Sequence, residues 1–119
     1  MQPKPIGYVR NRRIQHELKL QHTMVDFLNY HGVFCWINYQ PLIRKGRMKM
    51  YHRSSTGVAD ILGIYKGKPL AIEVKRKQTK TTDKQDAFLD RFKEEGGIAF
   101  VARSLEDLAL NLDRPEWLR

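Results

Sequence analysis

Cysteine is nearly absent from this sequence. The 119 residues include one, Cys35, which lies inside the apolar run at residues 33–37. Apolar surroundings raise the pKa of a thiol and lower its reactivity. We therefore expect a buried, unreactive thiol in a protein of a reducing compartment, and not a cysteine nucleophile.

Long apolar segments are also absent. No stretch approaches the roughly 18 apolar residues that mark a membrane-spanning helix. Residues 1–5 are not followed by an apolar segment of the signal-peptide type. The sequence predicts a soluble, intracellular protein with no membrane partner, located in the cytoplasm of a bacterium or of a virus-infected cell.

Acidic residues are missing from residues 27–59. Residues 1–92 carry 18 basic and 7 acidic residues, whereas residues 93–119 carry 4 and 6, so the net charge of +9 is concentrated in the first part of the chain. A merely solubilising basic surface explains the net charge almost as well as a polyanionic partner does, but it explains the uneven distribution of the charge less well. A one-sided positive charge favours a polyanionic partner such as the phosphate backbone of DNA.

Hydrophobic periodicity divides the chain into seven elements. Helical spacing predicts a helix over residues 13–30, a second one behind the capping box at 82–85, and a third behind Ser104. Branched and aromatic runs predict strands at 33–39, 58–65, 69–75 and 98–102. The order α-β-β-β-α-β-α predicts an α/β fold with a mixed sheet flanked by helices, because a strand followed by a helix and another strand favours a parallel crossover.

A chain of this length fits one domain, over residues 1–119. Residues 1–13 are basic and rich in turn formers, and we expect them to form an N-terminal arm. The basic segment at 44–56 shows no clear periodicity and is predicted to be a loop or an irregular hairpin arm. Because aromatic residues on strands are usually buried, at least one of Phe34 and Trp36 is expected in the core.

Two acidic residues lie on apolar strands joined by a short turn. If residues 66–67 form a two-residue turn, the numbers of paired residues add to 133, and Asp60 then lies directly opposite Glu73. Side chains alternate along a strand, so Lys75 shares the face of Glu73, whereas Val74 points to the opposite face. Two carboxylates and an ammonium group are therefore predicted to meet on one side of the sheet.

Such a group of side chains is typical of a metal-dependent phosphodiesterase. Facing carboxylates repel each other and need a compensating cation, and hard oxygen ligands favour Mg²⁺ or Mn²⁺. Asp60 and Glu73 are the predicted ligands, with the main-chain carbonyl of Val74 as a third. Lys75 would orient the attacking water or stabilise the charge of the phosphate in the transition state.

A series of residues spread along the chain carries a resemblance to a known family. These residues are Glu17 in the first helix, Gly-Val-Ala-Asp-Ile at 57–61, Ile-Glu-Val-Lys at 72–75, Gln85, and the glycine pair at 96–97. In this series the chain resembles the virus-type replication-repair nuclease (VRR-NUC) domain of the PD-(D/E)XK superfamily, over roughly residues 14–112. One departure is Ala59, where the family usually has a proline that shapes the backbone.

The resemblance implies a restriction-endonuclease-like fold and metal-dependent cleavage of DNA. It also implies that Glu17 contributes to the metal site, although spacing alone favours a solvated glutamate on the helix. Gln85 is implied to lie near the active site as a catalytic residue. Its place in a capping box is a complete structural explanation, and both roles can coexist.

Basic and aromatic side chains are the candidate DNA contacts, because cations neutralise phosphates and aromatic rings stack on bases. They are Arg44, Lys45, Arg47, Lys49, Tyr51, His52, Arg53, Arg76 and Lys77.

The resemblance further implies a homodimeric Holliday-junction resolvase, since a two-fold dimer presents two sites to the symmetric strands of a four-way junction. A flap- or nick-directed nuclease with the same site is an alternative. A non-catalytic nucleic-acid-binding domain is another, in which Asp60 and Glu73 are incidental. A small RNA-binding protein of the ribosomal type would explain the charge but not the two acids.

Overall fold

The computed structural model of the chain describes residues 12–44, 47–51 and 57–119, and it describes side chains for residues 16–39 and 57–119. Within these ranges the chain forms nine helices and strands and a final 3₁₀ turn. They are α1 (Arg12–Tyr30), β1 (Phe34–Ile37), β2 (Gln40–Arg44), β3 (Arg47–Tyr51), β4 (Ile61–Tyr65), β5 (Lys68–Val74), α2 (Asp83–Glu94), β6 (Ile98–Ala102), α3 (Leu105–Asn111) and the 3₁₀ turn Pro115–Leu118.

Four strands form the central sheet in the order β1-β4-β5-β6. The β1–β4 and β4–β5 pairs are antiparallel, and the β5–β6 pair is parallel, with α2 as the crossover. The predicted mixed α/β sheet and the order of its elements are confirmed. Strands β2 and β3 form a separate antiparallel hairpin. Part of this hairpin lies in residues 44–56, for which the sequence predicted a loop or an irregular hairpin arm.

Each face of the sheet packs against a different layer of helices. On one face α1 and α3 enclose the main core, which includes Met24, Leu28, Ile72 and Leu108. On the other face α2 covers a smaller cluster through Leu89, together with the small side chains Ala59, Ala71 and Ala99. Burying a leucine- or isoleucine-sized side chain stabilises the fold by about 1.5–3 kcal/mol, so the first face supplies most of the hydrophobic stabilisation.

The single thiol is buried, as the sequence predicted. Cys35 Sγ lies 3.6 Å from Asn29 Oδ1, and burial raises the pKa of the thiol to about 11. A thiol with this pKa remains protonated and unreactive at neutral pH.

The prediction that Phe34 or Trp36 belongs to the core is wrong. Alternation along β1 turns Cys35 and Ile37 toward α1 and turns both aromatic residues to the opposite face, where they are exposed. On that face α2 packs over β5 and β6, and no described element covers β1.

None of the described helices is long and apolar enough to cross a membrane.

Candidate active site

The turn between β4 and β5 sets the geometry of the site. Its two residues, Lys66 and Gly67, both have positive φ, 50° and 80°, as in the hairpin turns that match the twist of the sheet. The observed pairs, from Tyr65 with Lys68 to Ile61 with Ile72, have the predicted register. Continuing this register by one residue places Asp60 opposite Glu73.

Asp60 is held at the entrance to β4 by contacts from two neighbouring strands. Its Oδ2 accepts a hydrogen bond of 2.7 Å from the main-chain N–H of Val74. The N–H of Asn38 donates to the main-chain oxygen of Asp60 at 2.8 Å, and Asn38 Nδ2 donates to the carbonyl of Ala59 at 3.3 Å. Sequence reasoning missed Asn38, although its position directly after β1 extends the register toward Asp60.

Gly57 explains why the segment before Asp60 can lie against α2. Its φ is +84°, and a Cβ atom there would lie 3.0 Å from Lys84 Cβ and 3.1 Å from the carbonyl oxygen of Lys84. A side chain would therefore add backbone strain and push the segment away from the helix. The glycine lets the segment that carries Asp60 pack closely against the first turn of α2.

Glu73 lies fully buried at the centre of the site. Its Oε1 accepts a hydrogen bond of 2.9 Å from Gln85 Nε2 and lies 3.9 Å from Lys75 Nζ. Gln85 Oε1 also accepts from the main-chain N–H of Thr82, in the predicted capping box. The structure thus shows the structural role of Gln85 and its contact with Glu73, whereas its catalytic role stays a prediction.

The environment of Glu73 favours its protonated form. Burial, followed by the charge and the hydrogen bond of Asp60, raises the pKa of Glu73 to about 10. The charge of Glu17 acts in the same direction, and the Lys75 ammonium opposes it. At neutral pH and without a bound cation, the folded protein therefore favours a protonated Glu73, which relieves the repulsion expected between two facing anions.

These residues fit a divalent cation of the magnesium type. Glu73 Oε2 is buried, and with both acids ionised no group in the described part of the chain donates a hydrogen bond to it, so a cation can take the place of the proton there. Mg²⁺ typically takes one or two protein carboxylates and completes its shell with water and substrate phosphate, so Asp60 and Glu73 suffice. The carbonyl of Val74 as a further ligand stays a prediction.

Glu17 lies close enough to influence Glu73 through its charge. Even so, no group of three histidine, cysteine, aspartate or glutamate side chains is placed to hold a metal ion in the described part of the chain, residues 12–44, 47–51 and 57–119. The role of Glu17 as a ligand stays a prediction.

Sequence reasoning also missed Gln21, one helical turn along α1, whose buried Oε1 finds no partner among the described residues. Nothing in the sequence separates Gln21 from an ordinary polar residue of a helix.

The loop after β5 presents cations beside the site. Residues 76–80, which include the predicted DNA contacts Arg76 and Lys77, line an open groove of about 630 Å³. Arg103 holds this loop through Nη1, which donates to the carbonyls of Arg76 and Thr79 at 2.6 Å each. Lys80 adds a further cation to the groove. Sequence reasoning missed Lys80 and Arg103, and the role of Arg103 depends on a contact between distant segments.

The other predicted DNA contacts lie in or beside the β2–β3 hairpin. Their side chains are not among those described, and Lys45, His52 and Arg53 fall outside the described residues altogether. Arg44, Arg47, Lys49 and Tyr51 lie on β2 and β3. Their contact with DNA stays a prediction.

The family model of the VRR-NUC domain matches residues 12–106, which is most of the chain and includes every residue of the site described above. A comparison with curated proteins finds no match.

Proposed function

Because the chain belongs to the VRR-NUC family of PD-(D/E)XK-type nucleases, we propose that it is a Mg²⁺- or Mn²⁺-dependent endonuclease that cuts branched DNA. The proposed substrate is a four-way junction, and the proposed active form is a homodimer that resolves it. The observation that carries the catalytic part is the buried group of Asp60, Glu73 and Lys75. Two acids and an ammonium group that are buried together are costly to fold unless they serve a cation and a substrate.

Each side chain has a distinct part in the proposed reaction. Asp60 and Glu73 would hold the cation, which when bound neutralises phosphate charge and lowers the pKa of water. Gln85 fixes the carboxylate of Glu73 by donating to Oε1 at 2.9 Å, which leaves Oε2 for the cation. Lys75 would donate hydrogen bonds to the attacking water or to the phosphate oxygens, where negative charge develops.

The basic surface supports DNA as the substrate. The net charge is +9, and Arg76, Lys77 and Lys80 line the groove beside the site. Cations in this arrangement would hold the phosphates that flank the cleaved bond, without reading sequence. A flap- or nick-directed nuclease would use the same residues, so only the choice of substrate separates that alternative from the resolvase.

A substrate panel tests the proposal. Labelled four-way junction, flap, nicked and linear duplex DNA are incubated with Mg²⁺ or with EDTA, using the wild type, Glu73→Gln, Lys75→Ala and the exposed control Glu94→Gln. We expect Mg²⁺-dependent cleavage, fastest on the junction, that both site variants reduce by about 10³-fold or more and the control leaves unchanged. Wild-type rates in Glu73→Gln would overturn the site, and faster cleavage of flaps than of junctions would overturn the resolvase.

A further inference from the structure

One face of the central sheet is only half covered. On the face where α2 packs over β5 and β6, the half formed by β1 and β4 exposes Phe34 (67%), Trp36 (44%) and Ile64 (48%). Phe34 pairs with Ile64 across the two strands, and the rings of Phe34 and Trp36 lie 5.3 Å apart between centroids. These three side chains form one contiguous surface, which we call the β1–β4 patch.

The size and chemistry of the patch indicate a protein interface. Aromatic side chains have about 150–250 Å² of surface each, so at these exposures the patch leaves roughly 300 Å² of apolar area in contact with water. The largest apolar patch on a typical monomeric protein has about this size and is often functional. Neither β1 nor β4 contains a charged residue, so the patch lacks the cations that a DNA phosphate surface requires.

We propose that the β1–β4 patch is the surface through which two copies of this chain form the homodimer, and this inference rests on the proposed function. Each copy carries a net charge of +9, so two copies repel each other wherever their cations meet. The patch is a neutral, apolar surface on which that repulsion is weakest. A two-fold interface there buries the same three side chains twice, about 600 Å², which would form the apolar centre of the roughly 1,200–2,000 Å² that a stable dimer buries.

The position of the patch also suits paired cleavage. β1 is the edge strand of the sheet, which is where a second copy can approach. Trp36 precedes Asn38 by two residues on the same face, a distance of about 7 Å along the strand, and the Asn38 N–H contacts the backbone of Asp60 at 2.8 Å. A dimer joined at the patch therefore holds its two carboxylate sites near the two-fold axis.

Sedimentation of charge-matched variants tests the interface. Phe34→Glu and Trp36→Glu each place an acid in the patch, and Leu110→Glu makes the same change on α3 at a side chain that is 60% exposed. We expect the wild type and Leu110→Glu to be dimers at micromolar concentration. Each patch variant should weaken the dimer about 30-fold or more, as substitutions at the centre of an interface do.

A second measurement does not depend on the folding of any variant. In wild-type protein, amide hydrogen exchange of β1 should slow as the protein concentration rises through the dimer dissociation constant. A monomeric wild type, or patch variants that keep the dimer mass, would overturn the inference. Patch variants that remain dimers but lose DNA affinity would overturn it in favour of a DNA-stacking surface.

Cleavage of nicked DNA, which needs only one site, separates this inference from the proposed nuclease. The monomeric Phe34→Glu protein should cut it at the wild-type rate while losing paired incision of junctions. If the wild type cleaves DNA and Phe34→Glu stays dimeric, the interface is wrong and the nuclease stands. If Phe34→Glu dissociates the dimer but the wild type cleaves nothing, the interface stands and the proposed function fails.

Discussion

Glu73 links the electrostatics of the site to the stability of the fold. Its pKa is raised from 4.5 to about 10, first by burial and then by Asp60. Below about pH 4.5 the carboxyl group is protonated in the folded and unfolded chains, and its contribution to stability is fully present. As the pH rises toward 10 the unfolded chain releases this proton before the folded one does, so the contribution is progressively lost.

We therefore predict that Glu73→Gln flattens the pH dependence of stability. In EDTA the melting temperature of the wild type should fall between pH 5 and pH 9 more steeply than that of Glu73→Gln, because glutamine keeps the shape and has no proton to lose. Thermal unfolding at several pH values measures this, with the exposed Glu94→Gln as the control. Parallel curves for the wild type and Glu73→Gln would show that Glu73 ionises normally in the folded protein.

Protonation of Glu73 also changes the interaction between the two facing acids in the metal-free protein. Sequence reasoning gives two facing anions, whose repulsion would strain the hairpin by about 0.2–1 kcal/mol. Burial, which a strand pattern does not specify quantitatively, lets Glu73 keep its proton instead. The pairing of Asp60 with Glu73 could be predicted because turn length and strand alternation are local. The protonation state could not, because it depends on the helices that cover the strands.

At the scale of elements, α2 joins a structural cap to the active site. Gln85 Oε1 accepts from the main-chain N–H of Thr82 at 2.9 Å, and Gln85 Nε2 donates to Glu73 Oε1 at 2.9 Å. The two ends of the Gln85 amide therefore serve two purposes. One completes the N-terminus of the helix, and the other orients a predicted metal ligand.

Two substitutions should separate these purposes. Thr82→Ala removes the cap oxygen and should lower the free energy of unfolding by about 1 kcal/mol, as lost N-caps do, while kcat on junction DNA stays close to that of the wild type. Gln85→Ala removes both contacts and should lower stability and kcat together. Urea unfolding and single-turnover cleavage measure the pair. A Gln85→Ala protein that is destabilised but fully active would leave Gln85 with a capping role alone.

The elements that the sequence predicted best are those with local signals. The capping box, the β4–β5 turn and the α2 crossover all follow from short spacings, and the structure contains each of them. The burial of Phe34 and Trp36 was mispredicted because it depends on how far α2 extends across the sheet. Arg103 was missed for a related reason, since its carbonyl partners lie in a loop more than twenty residues away.

At the scale of the whole molecule, the sequence carries positive charge on two separate segments. One is the loop at residues 76–80, which follows Lys75 in the chain and lines an open groove. The other is the β2–β3 hairpin with its connection, which contributes Arg44, Lys45 and Arg47 from the acid-free stretch. The family match covers both segments, and the contact of each with DNA stays a prediction.

The salt dependence of binding should tell the two segments apart. Each phosphate contact to duplex DNA lowers the slope of log K against log salt by about 0.9. Replacing the three hairpin cations with alanine should therefore flatten the slope by up to about 2.7 and weaken binding equally on unrelated sequences, because charge and not base recognition is removed. Fluorescence anisotropy with inactive Lys75→Ala as the background measures binding without cleavage.

Replacing Lys93, which lies on α2 in an ion pair with Asp90, serves as the control and should leave the slope unchanged. An unchanged slope in the triple variant would assign the DNA surface to the loop at residues 76–80 and leave the hairpin without a role in phosphate binding.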